Sequence, residues 1–156
     1  MRRGAHWRAV VYAGIAAAIA STLVEVVAWL ALADDPAGTI LRDVRFAAAL
    51  VLGQRVLVPA EPVGAGILLA ATGVHLALSF VYAAALSSLL AAWHAARPVV
   101  VGAAFGTVLY AVNLHGMTRF FPWFAADRDA VTMIAHVVFG VVAAAVYTRR
   151  SRQPPA

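Results

Sequence analysis

Glu25, His75, Asn113, His115 and His136 lie inside stretches that otherwise read as membrane-spanning helices. Imidazole and carboxylate can move protons or bind a metal, and an amide can donate and accept beside them. Ionisable groups in hydrocarbon are costly, so each is a functional-site hypothesis by default. Helical spacing of three or four residues shows which of them share a face. Thr72, His75, Ser79 and Tyr82 form one stripe, and Thr132, His136, Gly140, Ala143 and Tyr147 another. Gly14, Ala18, Thr22, Glu25 and Trp29 form a third, and Gly102, Gly106, Tyr110 and Asn113 a fourth. Asn113 and His115 are two residues apart and cannot both point into a bundle. Asn113 shares the glycine face, so His115 is expected at the edge of the cluster or at the interface.

Three chemistries fit these residues. The working expectation is a metal or redox site. His75 and His136, at similar depth on two helices, match the axial ligands of a b-type haem, and bundles hold cofactors this way. Arg42, Arg45 and Arg119 would pair with its propionates. Alternatively Glu25, His75 and His136, with His115 or Asn113, would bind a divalent transition metal such as Zn²⁺, Cu²⁺ or Fe²⁺. Asn113, Ser79, Tyr110 and Thr132 would hydrogen-bond around these ligands. No local signature such as HExxH supports either version. The second chemistry is proton- or sodium-coupled transport of a small solute, since intramembrane His and Glu mark ion pathways. Four helices are few for a transporter, and towards the other end Ser87, Ser88 and His94 occur without a continuous polar path. The third is structural: the cluster as packing glue, with Glu25 neutral or paired with a histidine. Hydrolysis is poorly supported. Ser79 lies one turn from His75 without a glycine-rich nucleophile elbow, and phosphate-binding glycine loops are absent. The chain therefore reads more readily as a non-enzyme than as an enzyme, with the question left open by the sequence.

The elements that position these groups follow from composition. The chain has 156 residues, 63% of them hydrophobic and 12% charged. A soluble domain carries about 25% charged residues, so this is a membrane protein with one domain spanning residues 1–156. Cysteine is absent, which removes disulfides and thiol chemistry. A hydrocarbon core of ~30 Å needs ~20 helical residues. Four stretches qualify, at about 9–32, 67–92, 99–117 and 130–147. The expected fold is an all-α four-helix bundle. Asp34-Asp35-Pro36 ends the first helix, and Pro59 and Pro62 precede the second. Between them, about 40–57 reads as an extra amphipathic helix lying in the interface, because its apolar run is too short to span.

The net charge of +5 comes from arginines at helix ends, where they act as topology signals rather than a nucleic-acid surface. Arg2, Arg3, Arg8, Arg97, Arg149, Arg150 and Arg152 stand unopposed on one side. Arg42, Arg45, Arg55, Arg119 and Arg128 mix with Asp34, Asp35, Asp43, Glu61, Asp127 and Asp129 on the other. The expected location is the bacterial inner membrane, multi-pass, with both termini cytoplasmic. Trp93 and Tyr147 suit the inner interface; Trp29, Phe120, Phe121, Trp123 and Phe124 suit the outer one. Ala31-Leu32-Ala33 resembles a signal-peptidase site, but the apolar stretch is long and carries Glu25, so a retained span is expected.

At ~1.5 Å per residue, Glu25 lies ~10 Å below the outer end of its helix, and His75 and His136 ~9–12 Å. The expected site is thus an outer-leaflet cluster. Gly14, Ala18 and Glu25 have the same offsets as Gly102, Gly106 and Asn113, so two related parallel hairpins are a further expectation. The Gly102/Gly106 GxxxG pair permits close helix approach and leaves a face for a homo-oligomer.

The segments LRDVRFAAALVLG (Leu41 to Gly53) and AVNLHGMTRFFPWFAADRDAVTMIAHVVFG (Ala111 to Gly140) resemble a group of small four-helix bacterial membrane proteins. Some of these carry the label sodium:proline symporter. The resemblance covers most of the chain and implies the four-helix membrane fold. It brings no established mechanism and transfers no functional residue. Sodium/solute symporters are several times longer and bind sodium at broken helices, whereas no Gly/Pro break inside a polar segment is evident in the first or third helix here.

Overall fold

The computed structural model describes residues 2–58, 62–92 and 97–152, with the side chains of 2–6 left aside. Pro59, Glu61, Trp93 and His94 lie outside the described residues. The order is α1 (Arg2–Leu32), α2 (Pro36–Leu52), a 3₁₀ turn (Gln54–Leu57), α3 (Ala65–Ala92), α4 (Pro98–Ala111) and α5 (Ala130–Ser151). Between α4 and α5 run a π turn (Val112–Gly116) and two 3₁₀ segments (Met117–Arg119 and Pro122–Asp127). Four segments are long and apolar enough to cross a membrane: Trp7–Leu32, Ala65–Ala92, Pro98–Arg119 and Ala130–Ser151.

Local chemistry sets the boundaries. Asp35 accepts from the Gly38 amide at 3.0 Å, and Pro36 is the first residue of α2. Aspartate at the cap and proline just inside are the preferred helix start, so Asp34-Asp35-Pro36 opens one helix as it closes another. Asp129 caps α5 in the same way, accepting from the Thr132 amide at 2.9 Å. The helix expected over 40–57 instead begins at Pro36 and stops at Leu52. Gly53 there adopts φ +79°, a conformation that favours glycine and ends the run. Arg45 then ties the chain back, donating to the Val56 carbonyl at 2.8 Å and the Val58 carbonyl at 3.1 Å.

α5 is the central helix. Of its most apolar window 44% is buried, against 17% for α1 and α3 and 22% for the third span. Ala9, Ala13 and Ala17 of α1 are buried in one cluster with Ala143, Ala144 and Tyr147 of α5. Four-residue spacing puts those alanines on one stripe, and small side chains let the backbones approach. Arg150 lies 4.4 Å over the Tyr12 ring, so both described ends of the chain meet at one end of the bundle. Ile15, Ile19, Leu23, Val27 and Leu30 project from other faces of α1 and stay exposed.

α4 meets α5 through glycine. A Cβ on Gly102 would strike the Gly140 carbonyl, one on Gly106 the His136 carbonyl, and one on Gly140 the Gly102 carbonyl. The GxxxG face is therefore occupied by α5 within the chain. In the other hairpin, a Cβ on Gly14 would meet the Phe80 ring of α3 at 2.8 Å. α2 packs mainly on α3 and also on α1, at the end opposite the termini.

Candidate functional site

The α2 end of the bundle encloses a cavity of about 840 Å³ with walls from α1, α2, α3, the α4–π segment and α5. Exposed Thr22, Leu23, Thr72 and Leu78 are part of its wall, so it opens at the bundle surface between α1 and α3. Glu25, His75, Ser79, Asn113, Thr132 and His136 all line it. His115 and Tyr110 do not. His115 is exposed and packs edge-on to Tyr110 at 5.7 Å, while Tyr110 also packs edge-on to His136 at 5.8 Å.

Two separate arrangements stand within this wall. In the first, the Tyr82 hydroxyl donates to Asn113 Oδ1 at 3.0 Å. Asn113 Nδ2 then faces His136 Nε2 at 3.4 Å, and His136 Nδ1 faces the Thr132 carbonyl at 2.8 Å. A carbonyl only accepts, so the proton sits on Nδ1 and Nε2 is the acceptor. His136 is thus a neutral imidazole with both nitrogens in use. In the second arrangement, His75 Nε2 lies 3.2 Å from Thr22 Oγ1 and 3.4 Å from the Ala18 carbonyl. By the same rule its Nε2–H is shared between two α1 oxygens.

Glu25 differs from both. It faces the cavity and has no hydrogen-bond or ion-pair partner among the described residues. The histidine pairing considered for it is not formed. One turn further along α1, Trp29 Nε1 donates to Asp43 Oδ2 at 3.1 Å. Arg42 bridges Asp43 Oδ1 and Asp127 Oδ1, at 2.8 and 2.9 Å, the latter 85 residues from Arg42 along the chain. This cluster lines the cavity at its α2 end. Burial, then the neighbouring Asp43 charge, push the Asp127 carboxyl up to about 7 against the pull of Arg42. Asp43 is also raised by burial, opposed by its bonds from Arg42 and Trp29. The Pro122–Asp127 segment is held over α2 by Trp123 Nε1, which donates to the Phe46 carbonyl at 3.2 Å, and by Phe46 and Phe124 packed edge-on at 6.0 Å.

The third span does not remain a regular α-helix beside the site. The Met117 amide bonds to the Val112 carbonyl, five residues back, across Asn113. Such π turns occur mostly at functional sites. The Leu114 carbonyl is satisfied by Arg128 Nε at 2.6 Å, and the same side chain holds Thr118 Oγ1 at 2.6 Å. The sequence carried little sign of this. Nor did it show that Asp43 and Asp127 belong to the site, or that Arg42, expected at haem propionates, instead pairs with both of them.

The donor set does not fit the expected metal or haem. Among the described residues, no three histidine, aspartate or glutamate side chains gather as a group able to hold a metal ion. Axial ligation by His75 and His136 would need Nε2 atoms that are already engaged. Arg42 is occupied by carboxylates and Arg45 by backbone carbonyls, not aimed at a macrocycle. His115 lies outside the cavity. No family model, curated protein or solved structure matches the chain.

Proposed function

We propose that this chain is a small multi-pass inner-membrane protein that binds a drug-sized amphiphilic solute in its outer-leaflet cavity. Both termini face the cytoplasm, and α2 with the Pro122–Asp127 segment lies in the outer interface as the cavity's roof. The observation that carries this reading is the cavity itself, walled by every helix and holding Glu25 without a partner. Ligand sites are typically concave, mostly apolar, ~300–1,000 Å³ in volume and supplied with a few polar groups. This one is mostly apolar, with polar groups contributed by several of its helices. Its opening between α1 and α3 is level with hydrocarbon, so a solute dissolved in the outer leaflet has direct access. Coupled transport is a further step of the same reading, with binding as its first event. The Tyr82–Asn113–His136 chain plays the glue role, tying α3, the π turn and α5 together.

The test is a melting-temperature screen of purified protein against small amphiphiles of positive, negative and zero charge. A ligand that binds only the folded state raises stability by about 2.7 kcal/mol at one hundred times its Kd. At least one charge class should raise the melting temperature. The rise should vanish in Ala47→Phe, which fills the cavity from α2 without touching Glu25. A panel in which no class shifts the wild-type protein overturns the reading.

A further inference from the structure

The charge around the cavity selects among solutes, and this step rests on the solute-binding reading above. Three carboxylates face the cavity: Glu25, Asp43 and Asp127. No arginine contributes to its described wall. Arg42 reaches in from the roof and is shared between Asp43 and Asp127, so one guanidinium answers two acids. Asp129, nearby, spends its carboxylate on the amide and hydroxyl of Thr132. His136 is held neutral by Asn113 and Thr132. Glu25 remains with no cation of the protein's own among the described residues. The apolar wall brings Trp29, Tyr82, Phe121, Phe124 and Phe139, whose ring faces attract a cation and accept an apolar body equally well. An anionic solute would meet three acids that share one guanidinium, and no arginine in the described wall to receive it.

We infer that the cavity takes a lipophilic organic cation, of the alkylammonium or arylphosphonium class, with its charge beside Glu25 and its apolar groups against the aromatic wall. The positive centre sits at the depth of Glu25, about one helical turn below Trp29. The charge of the ligand supplies the partner that Glu25 lacks. Lipophilic anions of the same shape are rejected, because placing a second negative charge beside a carboxylate in low dielectric is costly.

Tetraphenylphosphonium and tetraphenylborate share one shape and differ in the sign of their charge. Equilibrium dialysis of each against the protein in dodecylmaltoside, free of aminophospholipid, reads the inference directly. The expected result is saturable, one-to-one tetraphenylphosphonium binding at least about tenfold tighter than tetraphenylborate binding, a conservative ratio for one opposed charge. Glu25→Gln should lose about tenfold in tetraphenylphosphonium affinity, and Asp34→Asn, which removes an exposed carboxylate outside the cavity, should lose none. Glu25→Gln replaces a group that makes no hydrogen bond, so its fold is expected intact, and its circular dichroism and melting temperature check this. Equal binding of both ions, or tighter borate binding, overturns the cation inference and leaves the solute-binding reading standing. Phosphonium affinity unchanged in a folded Glu25→Gln variant also overturns it. Binding of neither ion, together with a silent amphiphile screen, overturns both.

Discussion

Among the described residues, the Asn113 side chain links Tyr82 of α3 to His136 of α5 beside the π turn, and removing it has a calculable cost. Asn113→Ala deletes the 3.0 Å bond from Tyr82 and the longer 3.4 Å contact to His136. Hydrogen bonds between membrane helices average ~0.6 kcal/mol and reach ~1.7. The short bond belongs in the upper part of that range and the long one in the lower. Asn113 also faces the cavity, where water can replace a lost partner. Asn113→Ala is therefore expected to cost about 1–1.5 kcal/mol. Tyr82→Phe deletes only the first bond and keeps the ring edge-on to Phe139 at 6.4 Å, so its expected cost is about 0.6–1 kcal/mol. Because both variants remove the same bond, the double variant should cost little more than Asn113→Ala alone. The double-mutant cycle, read by reversible unfolding in mixed micelles, should return a coupling of about 0.6–1 kcal/mol. Costs that add within about 0.3 kcal/mol would refute the Tyr82–Asn113 bond, the first link of the chain.

Other perturbations probe the packing and the roof. Gly140→Ala drives a Cβ into the Gly102 carbonyl, and overpacking against backbone is expected to cost about 1–3 kcal/mol, seen as a lowered melting temperature. Gly73→Ala, with nothing within 4 Å of its Cβ, should cost nothing or stabilise; equal losses in the two would contradict the α4–α5 contact. The Asp127 carboxyl, raised to about 7 in the folded chain, binds its proton more tightly folded than unfolded. Its contribution to docking of the Pro122–Asp127 segment is therefore fully present below about pH 4 and is lost as pH rises through about 7. Amide exchange across residues 122–127 should accelerate from pH 5 to pH 8 beyond the intrinsic rate, and Asp127→Asn should remove the excess. A pH-independent excess would contradict the burial of that carboxyl.

Much of this arrangement was legible along the chain because it rests on local chemistry. Length and hydropathy located the four spans, and Asp35-Pro36 and Asp129 placed two helix starts. Three- and four-residue spacing grouped Glu25, His75, Asn113 and His136, which all line one cavity. Facing also separated His115 from that set. What was not legible depends on distant partners. Gly102 and Gly106 announce a close helix contact, but nothing in their spacing names Gly140 as the other side. The π turn beside Asn113 has its Leu114 carbonyl answered by Arg128, 14 residues further on. Asp43 and Asp127 are joined only through Arg42, so neither looks like part of a site in isolation. The histidines read as ligands because their type allows it; only their hydrogen bonds reveal that the nitrogens are already committed.

The central claim is an open cavity whose unpartnered carboxyl, among the described residues, is Glu25. The chain has no cysteine, so a single introduced thiol reports without background. Thr22 lies three residues before Glu25 on the same face of α1, and lines the cavity from an exposed position. The decisive measurement is the rate at which Thr22→Cys reacts with cationic and anionic methanethiosulfonates of matched size, with Glu25 present and with Glu25→Gln added. The account predicts that Thr22→Cys reacts, that the cation is faster, and that the rate ratio falls about tenfold when Glu25 is neutralised. A thiol that does not react, or a ratio indifferent to Glu25, would contradict it.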